Sequence, residues 1–161
     1  MKQLILVRHA KSSWDAPLQD IDRPLTNKGI QDAHLVSTHI SNEVPKSFIV
    51  WSSIAKRAAE TALIFSQNIS FPFESVMIKE ELYTFDERKL EKTIKSCSDE
   101  HDNLILFGHN EAITNFVNKF GSILIDNVST SGFVSITFEQ NKWDDIANGI
   151  TKKVIFPKDL K

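Results

Sequence analysis

Three short stretches carry side chains suited to handling an anion. Arg8-His9 closes the apolar run Leu4-Ile5-Leu6-Val7, Ser52-Ser53 leads to Arg57, and Gly108-His109-Asn110 closes the run Leu104–Phe107. Each stands where an apolar segment gives way to a loop or a helix start. An arginine fork matches the oxygens of a tetrahedral dianion. A neutral imidazole whose other nitrogen donates to a carbonyl keeps a free lone pair near physiological pH. Together these groups are equipped for phosphoryl transfer, which needs a nucleophile in line and charge stabilisation on the equatorial oxygens. In this reading His9 is the nucleophile, and its phosphorylation splits one displacement into two, with water attacking second. His109, as a donor or cation, joins Arg8 and Arg57 around the charge in flight. Taken singly, Arg8-His9 reads as a surface ion-pairing dipeptide, Arg57 as a helix-surface charge and His109 as a capping or buried ring; their coincidence on one predicted edge is what makes them a site.

Short apolar runs alternate with segments of helical period, the pattern of an α/β fold. Gln3–Val7, Phe48–Trp51, Val76–Ile78 and Leu104–Phe107 are apolar throughout, which predicts strands covered on both faces at the centre of a parallel sheet. Ala55, Ala58, Ala62, Phe65 and Ile69 form a helical stripe, as do Ala112, Ile113, Phe116, Val117 and Phe120, which stops at Gly121. Further helices are expected from Thr26 to about Asn42, and from a cap at Asp86 through Leu90, Ile94 and Cys97. Val134, Ile136 and Phe138 alternate with Ser135, Thr137 and Glu139, which suits an antiparallel strand with one wetter face at the sheet edge, with Val154-Ile155-Phe156 beside it. In an open parallel sheet the carboxyl ends of the strands share one edge. The helices that follow aim their N-termini at that edge and favour an anion there. Arg57 then falls in the first turn after a Ser52-Ser53 cap, and Asn110 caps the helix of Ala112 and Ile113.

A chain of 161 residues fits one domain, 1–161, with one active site. Its 19 lysines and arginines against 21 acids give a formal charge of −2, so no overall field draws it to nucleic acid or anionic lipid. A lone cysteine, Cys97, no secretory pattern at the start and no apolar run of membrane-spanning length lead us to expect a cytoplasmic protein. Rival chemistries find little support. No arginine stands six residues after Cys97, so the cysteine-phosphatase loop is missing, and Cys97 reads as core. Asp20-Ile21-Asp22 imitates an aspartyl nucleophile, but the loop Ala16-Pro17-Leu18-Gln19 precedes it where an apolar strand is required. His34, His39 and His101 lack metal-ligand spacing, and no phosphate-cradling or dinucleotide glycine loop appears. Trp14, Trp51 and Trp143 suit packing or a pocket rim, since no basic stripe accompanies them.

At these residues a family is recognisable. Arg8-His9-Ala10-Lys11-Ser12-Ser13-Trp14-Asp15, then Asp22-Arg23-Pro24-Leu25-Thr26 with Gly29, then Ser53 with Arg57-Ala58 and Thr61-Ala62, and finally Gly108-His109-Asn110-Glu111 resemble the histidine phosphatase superfamily, and within it the small SixA-type phosphohistidine phosphatases. The resemblance implies a three-layer α/β/α sandwich of phosphoglycerate mutase-like type with a mostly parallel sheet. It implies a phosphohistidine intermediate at His9 and a phosphate pocket of Arg8, Arg57 and His109, with Ser12, Arg23 and Asn110 as substrate-binding residues and with neither metal nor cofactor. Three positions depart from the wider superfamily: Ala10 replaces the usual glycine, Asp15 stands where mutases often carry asparagine and needs a neutralising partner such as Arg23, and no mutase-type glutamate is found. Glu81 is the nearest substitute as general acid. A weak acid suits phosphohistidine, because an imidazole protonated on its other nitrogen leaves phosphorus easily whereas an alkoxide does not. The short span from Phe71 to Asp86 leaves little room for a lid, so the pocket should admit a protein side chain. The expected partner is a phosphorylated protein or a small phosphorylated substrate. The alternatives are a phosphatase of small phosphomonoesters, which requires a working acid such as Glu81, and a non-catalytic phosphate-binding adaptor.

Overall fold

The computed structural model describes residues 1–161. Strands β1 (Lys2–Arg8), β2 (Ile49–Ser53), β3 (Met77–Lys79), β4 (Asn103–Gly108), β5 (Phe133–Phe138) and β6 (Ile150–Ile155) form one sheet in the order β3-β2-β4-β1-β5-β6. The first four in that order run parallel, and β5 and β6 are antiparallel to their neighbours. Helices α1 (Asn27–His39), α2 (Lys56–Asn68), α3 (Glu87–Lys95) and α4 (Ala112–Phe120) cover the two faces.

The strand period of two explains why β1 can be apolar without a break. Leu4 and Leu6 pack into one core with Leu90, Ile94, Phe116 and Val117 of α3 and α4. Ile5 and Val7 pack into the other with Ala33, Val36, Ala62 and Phe65 of α1 and α2. The result is the three-layer α/β/α sandwich expected, with β1 and β4 in register from Gln3–Asn103 to Arg8–Gly108. Arg8 therefore leaves the sheet beside Gly108, one residue before His109.

Local chemistry sets the helix starts. Thr26 Oγ1 accepts from Gly29 N at 2.9 Å, and Asp86 Oδ1 accepts from Arg88 N at 3.1 Å, so both expected caps are used. The helix from Thr26 stops at His39 rather than near Asn42, and α3 stops at Lys95, with Cys97 buried just beyond. Ser52-Ser53 does not cap α2. The helix starts after Ala55, and Ser53 Oγ accepts instead from Ala55 N at 3.1 Å within the turn. Gly29 is fixed by close approach: a Cβ there would lie 2.2 Å from the Lys11 carbonyl oxygen, so the loop after His9 rests directly on α1.

Two strand placements differ from expectation. The Val76–Ile78 run is not central. Only three residues long, β3 lies at the sheet edge, paired to β2 alone, with Met77 and Ile78 half exposed. β5 is antiparallel as expected but not at the edge: it pairs with β1 and β6, and Ser135 of its supposedly wetter face is buried, its Oγ accepting from Gln3 Nε2. A polar residue that finds a partner inside a sheet mimics the sequence of an exposed face. At the far end of β1 the buried Lys2 ammonium donates to the Asp99 and His101 carbonyls and to the Asp102 carboxylate. No helix is long and apolar enough to cross a membrane.

Candidate active site

The carboxyl ends of β1, β2 and β4 bring two imidazoles and three guanidiniums together. The His9 and His109 ring centroids lie 5.2 Å apart, and both rings are buried. Arg8, Arg57 and Arg23 all face His9 closely enough to oppose its protonation electrostatically. His9 Nδ1 is 2.7 Å from the Ala10 carbonyl oxygen, which can only accept, so Nδ1 carries the proton and Nε2 keeps its lone pair. Burial first, then the charges of Arg57, Arg8 and Arg23, hold the His9 pKa down at about 4 against the support of the Ala10 bond. For His109, burial, then His9 and Arg57, push it down to about 2. Both rings are therefore neutral at physiological pH. His109 is a donor there, not the cation that sequence allowed. Its Nε2 lies 2.8 Å from Ser53 Oγ, whose oxygen already accepts from Ala55 N.

Several donors at this edge have no partner. Arg8 Nη1 donates to the Val128 carbonyl at 2.9 Å, and Arg57 spends both terminal nitrogens on Asp20, at 2.7 Å to the carbonyl and 3.0 Å to the carboxylate. Their Nε atoms remain buried and unbonded, as do His109 Nδ1 and Ser131 Oγ. A buried unsatisfied polar group costs about 1–3 kcal/mol. Four of them on residues of one sheet edge are matched to a multivalent acceptor.

Asp20 is the anchor of the cationic side. Its carboxylate takes bonds from Arg57, from Arg23 and from the hydroxyl of Tyr83, the single tyrosine of the chain. Partial burial pushes this carboxyl up, but those hydrogen bonds and the Arg57 charge outweigh it and hold the group at about 2. The Tyr83 ring packs against His109 at 5.4 Å. On the other side, Ser131 sits at φ 61°, a left-handed conformation uncommon for serine, and its N–H donates to the carbonyls of both Arg8 and His9. That turn latches the end of β1.

The remaining expected residues fall into two groups. Ser12 Oγ accepts from Arg23 Nη1 at 2.7 Å, and Arg23, buried, also lies on the Trp14 ring with 3.5 Å between guanidinium carbon and centroid. Arg23 pairs with Asp20 and not with Asp15. Asn110 Oδ1 accepts from Thr114 N in the first turn of α4, but Glu111 and not Asn110 holds the cap position, and the Asn110 amide donates to Asn127 and to the Val128 carbonyl that Arg8 also uses. Glu81 is not brought to this cluster. It is exposed and borders a surface hollow with Lys89, Lys92, Thr93 and Ser96. The carboxylate at the site is Asp20, which sequence reading discarded together with the Asp-Ile-Asp motif. Tyr83, Ser131 and the His109 contact of Ser53 carry no local signal in the sequence.

Comparison with known proteins gives the family and the fold. A family profile described as histidine phosphatase superfamily (branch 1) matches residues 4–103. An uncharacterised protein of Mycobacterium leprae (strain TN), ML1117, is 33% identical over 112 residues, covering 67% of this chain and 66% of that protein, so the match spans slightly less than two thirds of its length. Among solved structures, the protein histidine phosphatase SixA complexed with tungstate superposes with a TM-score of 0.82 at 21% identity, over 99% of each chain. A phosphoserine phosphatase from Entamoeba histolytica, in complex with 3-phosphoglyceric acid, gives 0.64 at 18% identity over 96% of each chain. These structural likenesses establish a common fold.

Proposed function

This chain belongs to the histidine phosphatase superfamily, and from that membership we propose that it hydrolyses phosphohistidine, carried on a protein, through a phosphohistidine intermediate at His9. The observation that carries the reading is the set of unpartnered buried donors, Arg8 Nε, Arg57 Nε, His109 Nδ1 and Ser131 Oγ, around a neutral imidazole. A tetrahedral oxyanion supplies the acceptors they lack.

Phosphate oxygens take Arg8 and Arg57, and the neutral His109 donates from Nδ1 when Ser53 Oγ gives its hydrogen to Nε2. His9 Nε2 attacks phosphorus as the bond to the leaving nitrogen breaks, and the substrate imidazole, already protonated on its other nitrogen, departs neutral. The Ala10 carbonyl stabilises the proton on Nδ1 as the ring becomes cationic. Water then attacks the phosphorylated His9 and releases inorganic phosphate. The choice of phosphohistidine follows from the acid. Asp20, the carboxylate bonded into the site, is held ionised, and Glu81 stands elsewhere. A P–N bond to an imidazole breaks without a strong acid, whereas an alkyl ester needs one.

Phosphoramidate turnover followed by quenching in alkali, where phosphohistidine survives, tests the reading. Mass spectrometry should place phosphate on His9, and His9→Ala should lose turnover while still binding inorganic phosphate. Phosphate on any other residue, or full activity in His9→Ala, overturns it.

A further inference from the structure

Phe85 joins the buried part of the site to solvent. It lies just before α3, the residue is 54% exposed, and it makes edge contacts with His109 at 5.4 Å and with Tyr83 at 5.8 Å between centroids. His109 is itself only 1% exposed, so Phe85 is an exposed ring in direct contact with a buried one that carries an unpartnered nitrogen. A second line of contacts leads outward from the same arginine. Arg57 bonds Asp20, Asp20 bonds Arg23, and Arg23 lies on Trp14, which is 75% exposed. Both routes out of the cationic centre end on a large aromatic ring kept in water. Such rings beside an anion cradle are matched to a ligand that carries a flat, apolar part next to its charge.

We propose that Phe85 and Trp14 form an aromatic rim that receives a planar leaving group, so that the site selects anions attached to a flat ring over those attached to an alkyl chain. The identification of that ring as imidazole rests on the phosphohistidine reading; the rim itself does not. The rim supplies the second half of substrate choice: the missing acid disfavours alkoxide departure, and the aromatic walls favour a ring that stacks or meets them edge-on.

Two probes that cannot be cleaved, phenylphosphonate and methylphosphonate, test this by calorimetry on the wild type, Phe85→Leu and Trp14→Leu. The wild type should prefer phenylphosphonate by about tenfold, and each substitution should reduce that preference about threefold, read as the ratio of the two affinities so that any change common to both probes cancels. Trp14→Leu alters a surface residue, so it reports even where Phe85→Leu disturbs the packing of His109. No preference in the wild type, or equal loss of both probes in both variants, overturns the rim; a loss confined to one variant overturns the role of the other residue. Because neither probe is hydrolysed, these outcomes are separate from a failure of the hydrolase reading, which is registered by the absence of phosphate on His9.

Discussion

In the proposed reaction, His9 owes its readiness as a nucleophile to its surroundings. The Ala10 carbonyl fixes the tautomer of His9, while burial and three guanidiniums keep the ring neutral down to about pH 4. Nitrogen NMR of the imidazoles should therefore show His9 uncharged from pH 7 to about pH 4, protonating below that; a midpoint near the ordinary 6.5 would contradict the geometry. Arg57→Ala should weaken phosphate binding and turnover together by about 2–4 kcal/mol, since it removes a charged donor aimed at the transferred group. Asp20→Asn should act in the opposite sense on binding. The asparagine can still accept from Arg57, but the repulsion between carboxylate and phosphate on a shared guanidinium disappears, so calorimetry should show inorganic phosphate binding several-fold tighter.

The proposed catalytic residues are held by elements pressed close to one another, and α1 shows the tolerance. With the Lys11 carbonyl 2.2 Å from where a Cβ would stand, Gly29→Ala must push the loop after His9 off the helix or open the helix start. Thermal unfolding should show a loss of about 1–3 kcal/mol, the scale of overpacking, together with reduced turnover; an unchanged protein would mean that the loop is free to move. Elements with strong periodicity are legible in the sequence: β1, β2, β4, α2 and α4 all fall within a few residues of expectation. β3 and β5 trade places in depth because composition reports hydrophobicity and not neighbours. Ile78 is apolar and half exposed, whereas Ser135 is polar, buried and satisfied by Gln3. At the site, Arg8, His9, Arg57 and His109 are legible because strand ends in a parallel sheet converge. Asp20, Tyr83 and Ser131 are not, because each arrives from a turn whose path no short pattern encodes.

Over the whole molecule, the same neutral rings set the response to acid. An unfolded chain protonates its histidines near pH 6.5, but folded His9 resists until about 4 and His109 until about 2. The unfolded state thus binds more protons across that interval, and stability falls as pH drops from about 6.5 toward 4 and below. Asp20 adds a further loss between its ordinary value near 3.8 and about 2, where the carboxylate clasp on Arg57 is protonated. The melting temperature should decline steadily on acidification below pH 6.5, and His109→Gln should flatten that decline; a pH-independent melting temperature would show the rings to be solvated. The sheet order has one more consequence. β1 leads directly into His9, yet Leu4 pairs with Leu104 and the Arg8 and His9 carbonyls wait for Ser131. On the ribosome, an emerging chain that has exposed His9 holds no working centre until more than a hundred further residues have followed. During that interval the apolar strand has no sheet neighbours, so hydrophobic surface that the finished fold buries stands uncovered.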